Sequence, residues 1–391
     1  MASRSIHSPA DLVQLLTESN GRLLVNMYPA VGHVVPEVDN FVRRRRLGEL
    51  PSGVPFLLCM PPNQLSFCVA DCYRSYFEGV TVSQEIYEIS KKVAYHYPEL
   101  TVDIGISSLK LAPDPNRPTR KMPWFNDILY MLTQEDTGRQ WLEWYRRRRE
   151  TIDYRPIDHN LDRTPALEAF LGAGIEKYAV FQIKDKPTTA VATPTETATY
   201  FDTLGYLRDN GYTLVLVGRE KYREELKHFG VLNYAGSDIA DFKHDLLMFK
   251  HARLAVTAGS GIAIIADLFD TPLVYANTWH LDNLPFSAMC NAVPTLLKSR
   301  ATGKLVSFAE HGEVFNQVGG STNFPWTTHE PRNPDGQDIL AAVREVLEPG
   351  FATAPLTPAQ HRAKYMRPDA YSTGGFARTS QAFLEKFSML L

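Results

Sequence analysis

The sequence predicts an α/β protein built from two Rossmann-like domains that face each other across a cleft. The chain has 391 residues, more than one hydrophobic core usually holds. Its apolar segments alternate between strand and helix patterns in two blocks, and the connections are short, which is typical of parallel sheets covered by helices on both faces. We assign the first domain to residues 1–165, the second to residues 175–350, and a helical tail to residues 351–391.

The first block opens with an extended apolar segment and closes with a long helical one. The early helix carries Val38, Phe41 and Val42 at i, i+3 and i+4, which places them on one face. The predicted strands cover 22–27, 55–60, 80–82 and 100–106, and the further helices cover 64–77, 84–97 and 124–151.

The second block alternates more regularly. The run 213–218 is continuously apolar, as expected of a central strand buried on both faces. Asn210-Gly211 ends the preceding helix. The other predicted strands are 178–184, a short one near 232, 254–257 and 273–276. Helices are predicted over 196–210, around Tyr222, Leu226 and Phe229, and over 239–251.

Composition excludes several classes of protein. A hydrophobic fraction of 44% and a charged fraction of 22% are those of an ordinary globular protein, and a net charge of −3 gives no reason to expect nucleic-acid binding. The four cysteines form no CxxC pair, which argues against a zinc site and fits a reducing cytosol. The first twenty residues lack a secretory apolar region, and no apolar run reaches the ~18 residues of a membrane span. We therefore expect a cytoplasmic protein.

A glycine-rich turn follows the strand that ends at Thr257. Gly259-Ser260-Gly261 leads directly into an apolar helix, so the turn presents backbone N–H groups without partners inside the helix. Ser260 is the expected N-cap, and the two glycines allow another molecule to approach the backbone. The pattern is compatible with a phosphate site and equally with ordinary helix capping.

Residues that directly follow strands are the main candidates for ligand binding, because open parallel sheets bind ligands at the carboxyl ends of their strands. Cations and N–H groups suit a diphosphate, and a carboxylate suits ribose hydroxyls. Ion pairs among the same residues are the alternative. The candidates in the second block are Lys184, Asp185, Gly218, Arg219, Glu220, Gly259, Ser260, Gly261 and Asn277.

His33, after Gly32 at the end of the first strand, is the candidate base of the first block. A helix N-terminus disfavours the charged imidazole, so His33 can accept a proton from a hydroxyl. A histidine that merely caps a helix is the alternative. His244, His251, His311 and His329 have no partner at metal-ligand spacing, and no DxD follows a strand, so no metal or cofactor is expected.

Several motifs, in order, resemble those of a known family. Gly32-His33-Val34-Val35-Pro36 resembles the Gly-His-x-x-Pro turn of glycosyltransferases of the GT-B fold. Over about 178–310 the chain resembles a family of bacterial glycosyltransferases of that fold. The segments that carry this resemblance are Lys184-Asp185, Gly218-Arg219-Glu220-Lys221-Tyr222, Leu232-Asn233-Tyr234, the acidic helix start 237–245, Gly259-Ser260-Gly261, Pro272 with Asn277, and 294–298.

Two departures from the family pattern bear on the site. Lys184 stands where arginine is usual, which replaces a forked donor by a point charge. Thr257-Ala258 stand where the family tends to have Gly-Thr.

The resemblance implies transfer of a sugar from a nucleotide diphosphate to an acceptor hydroxyl or amine. The residues are compatible with a reaction that needs no metal and uses His33 as the base, and His33 alone predicts inversion. The acceptor can be a small molecule, a glycan or a lipid-linked group. The resemblance also implies that the C-terminal helix packs back on the first domain. A nucleotide-sugar epimerase or hydrolase, or a non-catalytic nucleotide or carbohydrate binder, remains open. An NAD-dependent oxidoreductase is disfavoured because GxGxxG follows neither first strand.

Two runs of arginine raise the question of membrane contact. Residues 43–46 end the first helix, where cations offset the helix dipole, and residues 146–149 follow Trp141, Trp144 and Tyr145. Solvated helix faces with snorkelling side chains are favoured over an anionic lipid surface or a lipid-phosphate acceptor.

Overall fold

The computed structural model describes residues 5–25, 51–102, 162–184, 195–219, 222–279, 285, 287–317, 324–366 and 376–391, with eight further positions between 34 and 50. The chain divides into two compact units. The first comprises residues 1–144 and 157–161, and the second comprises residues 145–156 and 162–391. Among the described helices, none is both long and apolar enough to cross a membrane.

The first unit contains a three-stranded parallel sheet. Its strands are β1 (Arg22–Val25), β2 (Phe56–Met60) and β3 (Gly79–Val82), in the spatial order β1-β2-β3. Thr101 forms a parallel bridge with Leu23 on the free side of β1. Its helices include α1 (Pro9–Glu18), α2 (Gln64–Tyr73) and α3 (Gln84–His96). From β1 onward the described elements follow the predicted order, whereas α1 was not predicted. Of the strand predicted over 100–106, the structure describes residues 100–102, with Thr101 in a single bridge.

Side-chain caps and apolar faces explain these elements. Ser8, Asn63 and Ser83 each accept a backbone N–H in the first turn of α1, α2 and α3. The early helix buries the predicted face, since Val38, Phe41 and Val42 are helical and fully buried. The rings of Phe41 and Phe77 stack with centroids 4.7 Å apart.

Arg45 is the described member of the first arginine run. Its guanidinium donates to Glu78 and to the carbonyl of Tyr76, and lies 5.1 Å from the centroid of the Phe56 ring. This residue therefore has a structural role within its own unit. The other three residues of the run and residues 146–149 lie outside the described part of the chain.

The second unit is organised around a seven-stranded parallel sheet. A separate two-stranded antiparallel sheet pairs Leu296 with Arg332 and Ser299 with His329. The strands of the unit are β4 (Tyr178–Phe181), β5 (Thr213–Leu216), β6 (Leu232–Asn233), β7 (Leu254–Ala258), β8 (Leu273–Ala276), β9 (Cys290–Val293), β10 (Leu296–Ser299), β11 (His329–Arg332) and β12 (Arg378–Thr379). The order in the sheet is β12-β9-β8-β7-β4-β5-β6.

This strand order defines a doubly wound sheet. From β4 the chain first moves outward through β5 and β6, then returns to the other side of β4 and continues through β7, β8 and β9. Neighbouring strands β4 and β7 therefore flank the topological switch point, outside whose carboxyl ends such sheets bind ligands. Both β4 and β7 are buried at every position. The strand predicted to be central, 213–218, is β5, which lies between β4 and β6 and is buried from Leu214 to Leu216.

Helices cover this sheet and fill its core. Tyr200, Leu204 and Leu207 are fully buried, which confirms the predicted apolar face of the helix after β4. The α-helices are α4 (Pro165–Leu171), α5 (Phe201–Asp209), α6 (Phe242–Lys250), α7 (Ala263–Leu268), α8 (Phe308–Gln317), α9 (Gly336–Leu347), α10 (Pro358–Tyr365) and α11 (Gln381–Lys386), and 3-10 helices cover Thr197–Tyr200 and Glu224–Phe229.

Two predicted helices differ at their ends. The helix predicted over 239–251 begins at Phe242 because Asp241 caps it, accepting the N–H of His244 at 2.7 Å. The helix predicted around Leu226 is a 3-10 helix, which ends at Gly230 in the left-handed region, with φ of 69°.

The described part of the C-terminal tail belongs to the second unit, and its predicted packing on the first domain stays a prediction. Strand β12 joins the edge of the sheet, pairing Arg378 with Asn291. The apolar face of α11 enters the core of the same unit, where Phe383 and Leu384 are buried with residues of α9. The second unit thus pairs the backbone of β12 and buries the apolar face of α11.

Candidate functional site

At the switch point of the second unit, the hydrogen-bonded pairing of β4 with β7 continues past the end of β4. The N–H of Gln182 donates to the carbonyl of Val256 at 2.9 Å, which continues the β4–β7 pairing one residue past β4. Gln182 is 5% exposed and Lys184 is 6% exposed. The segment after β4 therefore places an amide and a cation, two residues apart, in a largely dehydrated position.

Ser260 reaches across this switch point. Its hydroxyl donates to Gln182 Oε1 at 2.8 Å and accepts the N–H of Ile262 at 3.3 Å. The two residues are 78 positions apart in sequence, and each belongs to the loop that follows one of the two flanking strands. This hydrogen bond joins the two sides of the predicted ligand edge.

The turn differs in detail from the predicted capped helix. Regular helix α7 begins only at Ala263, and its N-cap position is occupied by Ile262, which has no side-chain cap. Ser260 instead accepts the N–H of Ala263 on its carbonyl, in a tighter 3-10 pattern. Because the Ser260 hydroxyl is engaged with Gln182, the serine organises the turn and the switch point together.

Gly259 has an intramolecular reason for lacking a side chain. A Cβ atom at this position would lie 3.3 Å from Thr278 Cβ and 3.4 Å from Thr278 Cα. From the sequence, we predicted that the missing side chain lets a ligand approach the backbone. In the structure the backbone of the turn is close to the segment that follows β8.

Asn277 follows β8 and faces the core. It adopts the left-handed region with φ of 58°, is fully buried, and donates from Nδ2 to the hydroxyl of Tyr200 at 3.2 Å. Burial raises the pKa of Tyr200, so this hydroxyl stays protonated. Within the described residues Asn277 Oδ1 has no hydrogen-bond partner. In the structure, this predicted donor-binding residue thus has its amide in the core, bonded to Tyr200.

Arg219 is associated with a different group of polar residues. It is exposed and follows Gly218, whose φ is 101°. Burial raises the pKa of Asp245 on α6 from 3.8 to about 6, against hydrogen bonding to Tyr234 and the opposing charge of Arg219. The cation therefore acts on a carboxyl of α6.

His244, which has no partner at metal-ligand spacing in the sequence, is another group that lowers the pKa of Asp245. Its Nδ1 is 2.9 Å from Asp241 Oδ1, and its Nε2 is 3.0 Å from the hydroxyl of Thr164. Thr164 also caps α4, accepting the N–H of Leu167 at 3.2 Å. This arrangement ties α4 to α6.

Four predicted site residues lie outside the described part of the chain: Gly32, His33, Asp185 and Glu220. Gly261 belongs to the described turn and is exposed. In the described ranges, no cluster of three or more His, Cys, Asp or Glu side chains is placed to hold a metal ion.

Gln182 is the residue of this site that sequence reasoning missed. Its position two residues before Lys184 was the available signal, because alternate residues of an extended segment share one side. Nothing in the sequence indicates that its partner is Ser260, since that depends on the order of the strands.

Comparisons with known proteins yield structural neighbours only. No protein-family model matches the chain, and no curated protein matches it significantly. Its structure is similar to that of E. coli ADP-heptose lps heptosyltransferase II, with a TM-score of 0.34, 14% identity, and coverage of 70% of this chain and 90% of the other. It is similar to E. coli heptosyltransferase WaaC with ADP, with a TM-score of 0.37, 13% identity, and coverage of 77% and 99%.

A third similar structure is a glycosyl transferase family 9 protein from Veillonella parvula. The TM-score is 0.37, the identity is 8%, and the alignment covers 84% of this chain and 98% of that one. These neighbours are glycosyltransferases. At TM-scores below 0.5, such similarities do not identify a reaction, which has to be argued from the residues of the site.

Proposed function

We propose that the protein is a glycosyltransferase that uses a nucleotide-diphosphate sugar, and that its second unit binds this donor. The observation that carries the proposal is the hydrogen bond between Ser260 and Gln182 across the switch point, with Lys184 buried two residues further on. Doubly wound sheets bind nucleotides at this place. The family resemblance over 178–310 supports a sugar nucleotide as the ligand.

The charges suit a diphosphate leaving group. When the bond between the sugar and the diphosphate breaks, negative charge grows on the leaving oxygen. A cation held in a dehydrated position stabilises that charge more strongly than the same cation in water. Lys184 supplies the cation, and the N–H groups of the Gly259–Gly261 turn supply further donors. Together they replace the role of a metal ion.

His33 is proposed as the base of the transfer. The acceptor hydroxyl gives its proton to the imidazole, its oxygen bonds to the anomeric carbon, and the nucleoside diphosphate leaves with the electron pair of the broken bond. A single displacement of this kind inverts the anomeric configuration. Replacing His33 by Gln is expected to lower turnover about 10²- to 10⁴-fold, the usual contribution of a positioned base, while donor affinity changes little.

A panel of nucleotide sugars and nucleoside diphosphates tests donor binding. A nucleotide sugar that binds only the folded state raises the melting temperature of the protein. The sugars that bind are then assayed with and without candidate acceptors, because interconversion of the donor without acceptor would identify an epimerase. If no nucleotide or nucleotide sugar binds, the proposal is wrong.

Lys184→Met tests whether Lys184 binds the diphosphate, and Lys177→Met is its control. Both lysines flank β4, but Lys177 lies at the opposite end of the strand, is exposed, and donates to the carbonyl of Asn210 at 2.7 Å. We expect Lys184→Met to weaken nucleoside-diphosphate binding at least tenfold and Lys177→Met to leave it unchanged. Equal affinities in the two variants would contradict the assignment of Lys184.

A further inference from the structure

The hydroxyl of Ser260 has already used its hydrogen atom. A serine hydroxyl offers one donor and two acceptor positions. The donor is directed to Gln182 Oε1, and one acceptor position takes the N–H of Ile262. In this arrangement Ser260 can accept a further hydrogen bond but cannot donate one. Phosphate oxygens accept hydrogen bonds, so Ser260 is not suited to contact them directly.

Gln182, rather than Ser260, offers hydrogen-bond donors at the site. Its Oε1 is held by Ser260, which fixes the plane of the amide, and its Nε2 carries two N–H donors. Nε2 makes no hydrogen bond to any residue that the structure describes, although Gln182 is only 5% exposed. Nε2 is not among the fully buried described side-chain atoms that lack a partner, so the nitrogen itself retains accessible surface. Gln182 thus holds an oriented N–H₂ group at the switch point that is available to a ligand.

We propose that Gln182 donates this group to the diphosphate of the bound nucleotide, and that Ser260 acts as its positioning residue. The inference rests on the proposed function and changes the role of Ser260 within it. A neutral amide complements Lys184, because it adds a directed donor without requiring a second charge to be buried. A hydrogen bond from the neutral amide to a charged phosphate oxygen is stronger than one between two neutral groups, so we expect it to contribute to the affinity for the diphosphate.

Calorimetric titration of the full chain with ADP, GDP, UDP and CDP tests the inference. Gln182→Met keeps the length of the side chain and removes the amide. We expect it to weaken binding of the preferred nucleoside diphosphate about ten- to hundredfold. Binding of the matching nucleoside, which lacks phosphate, should change less than twofold. A merely structural role of Gln182 would weaken both ligands alike.

Ser260 is tested through its coupling to Gln182. Ser260→Ala should weaken diphosphate binding, Ser260→Thr should restore it, and Ser260→Ala added to Gln182→Met should cause no further loss. Such non-additivity is the mark of residues that act through one another. Independent, additive losses would contradict the positioning role.

Gln360→Met is the matched control for burying a methionine in place of glutamine. Gln360 is also 5% exposed, and it donates to the carbonyl of Thr379 at 2.9 Å, within the tail. Its replacement should lower the melting temperature and leave nucleotide affinity unchanged. If the wild-type chain binds a diphosphate and Gln182→Met binds it equally well, this inference fails and the proposed function stands. If the wild-type chain binds none, both fail.

Discussion

Glu345 on α9 accepts the backbone N–H of Ala382 on α11 at 2.9 Å. The same carboxylate accepts the N–H of Gln381 at 3.0 Å and the hydroxyl of Ser380 at 2.9 Å. A carboxylate at a helix N-terminus satisfies orphan N–H groups and complements the positive end of the helix dipole. One side chain thereby fixes the last helix to the second unit.

Replacing Glu345 by Ala is expected to lower the free energy of unfolding by about 1–3 kcal/mol, because it leaves these donors without their acceptor. Urea unfolding measures the loss, and limited proteolysis should show earlier cleavage near the C-terminus. Glu348→Ala, at an exposed position three residues on, is the control. Equal stability of the two variants would show that the tail is held by its apolar contacts alone.

The buried pair of Asn277 and Tyr200 gives a second prediction. Tyr200→Phe removes the acceptor of Asn277 Nδ2 and leaves the amide with no described partner for either end. We expect a loss of about 1–3 kcal/mol, the cost of an unsatisfied buried polar group. Tyr206→Phe, at a partly buried position on the following helix α5, should change the unfolding free energy by less than half of that. Denaturant titration of both variants decides.

Over residues 178–276 the sequence predicted the elements of the second unit because local signals determine them, whereas β9, β10, β11, α8 and α9 were not predicted. The caps, the apolar runs and the Asn210-Gly211 helix end depend on neighbouring residues, and the described strands and helices follow them. The site depends instead on distant contacts. Ser260 meets Gln182 across 78 residues, and nothing in either segment indicates that β7 lies beside β4.

The tail and Asn277 show the same limit. The apolar positions of α11 are visible in the sequence, but which core receives them is decided by Glu345 and by the free edge of β9. Asn277 does follow a strand, as predicted. Its amide turns inward because Tyr200, from a separate helical segment, offers a hydroxyl there.

Gly259 gives a prediction about packing. Gly259→Ala places a Cβ 3.3 Å from Thr278 Cβ, so the turn or its neighbour has to shift, at a cost of about 1–3 kcal/mol. Gly205→Ala is the matched control, because its Cβ would meet only Phe229 Cε1 at 3.9 Å and alanine favours the helix. Thermal unfolding should therefore show opposite shifts, downward for Gly259→Ala and upward for Gly205→Ala. A neutral Gly259→Ala would mean that the turn is loosely packed.

The raised pKa of the buried carboxyl of Asp245 leads to a prediction of how the free energy of unfolding depends on pH. Its folded-state pKa is raised from 3.8 to about 6: burial is the largest cause and the nearby charge of Asp241 adds to it, whereas Tyr234, Arg219 and His244 lower the pKa. Between these two pH values the folded state binds more protons than the unfolded state, so stability falls as pH rises. A shift of about two pKa units corresponds to a loss of up to about 3 kcal/mol between pH 4 and 6, with no further loss from this group above that range.

Asp245→Asn removes this titration while keeping the shape of the side chain. The variant is expected to show a smaller fall in unfolding free energy from pH 4 to pH 6 and to be more stable than the wild type at pH 7. Asp238→Asn, at an exposed position of the preceding loop, should reproduce the wild-type profile. Urea titrations at half-unit pH intervals give the slopes. If the wild-type chain and Asp245→Asn have parallel profiles, the carboxyl of Asp245 is ionised normally and the cluster around it does not desolvate it.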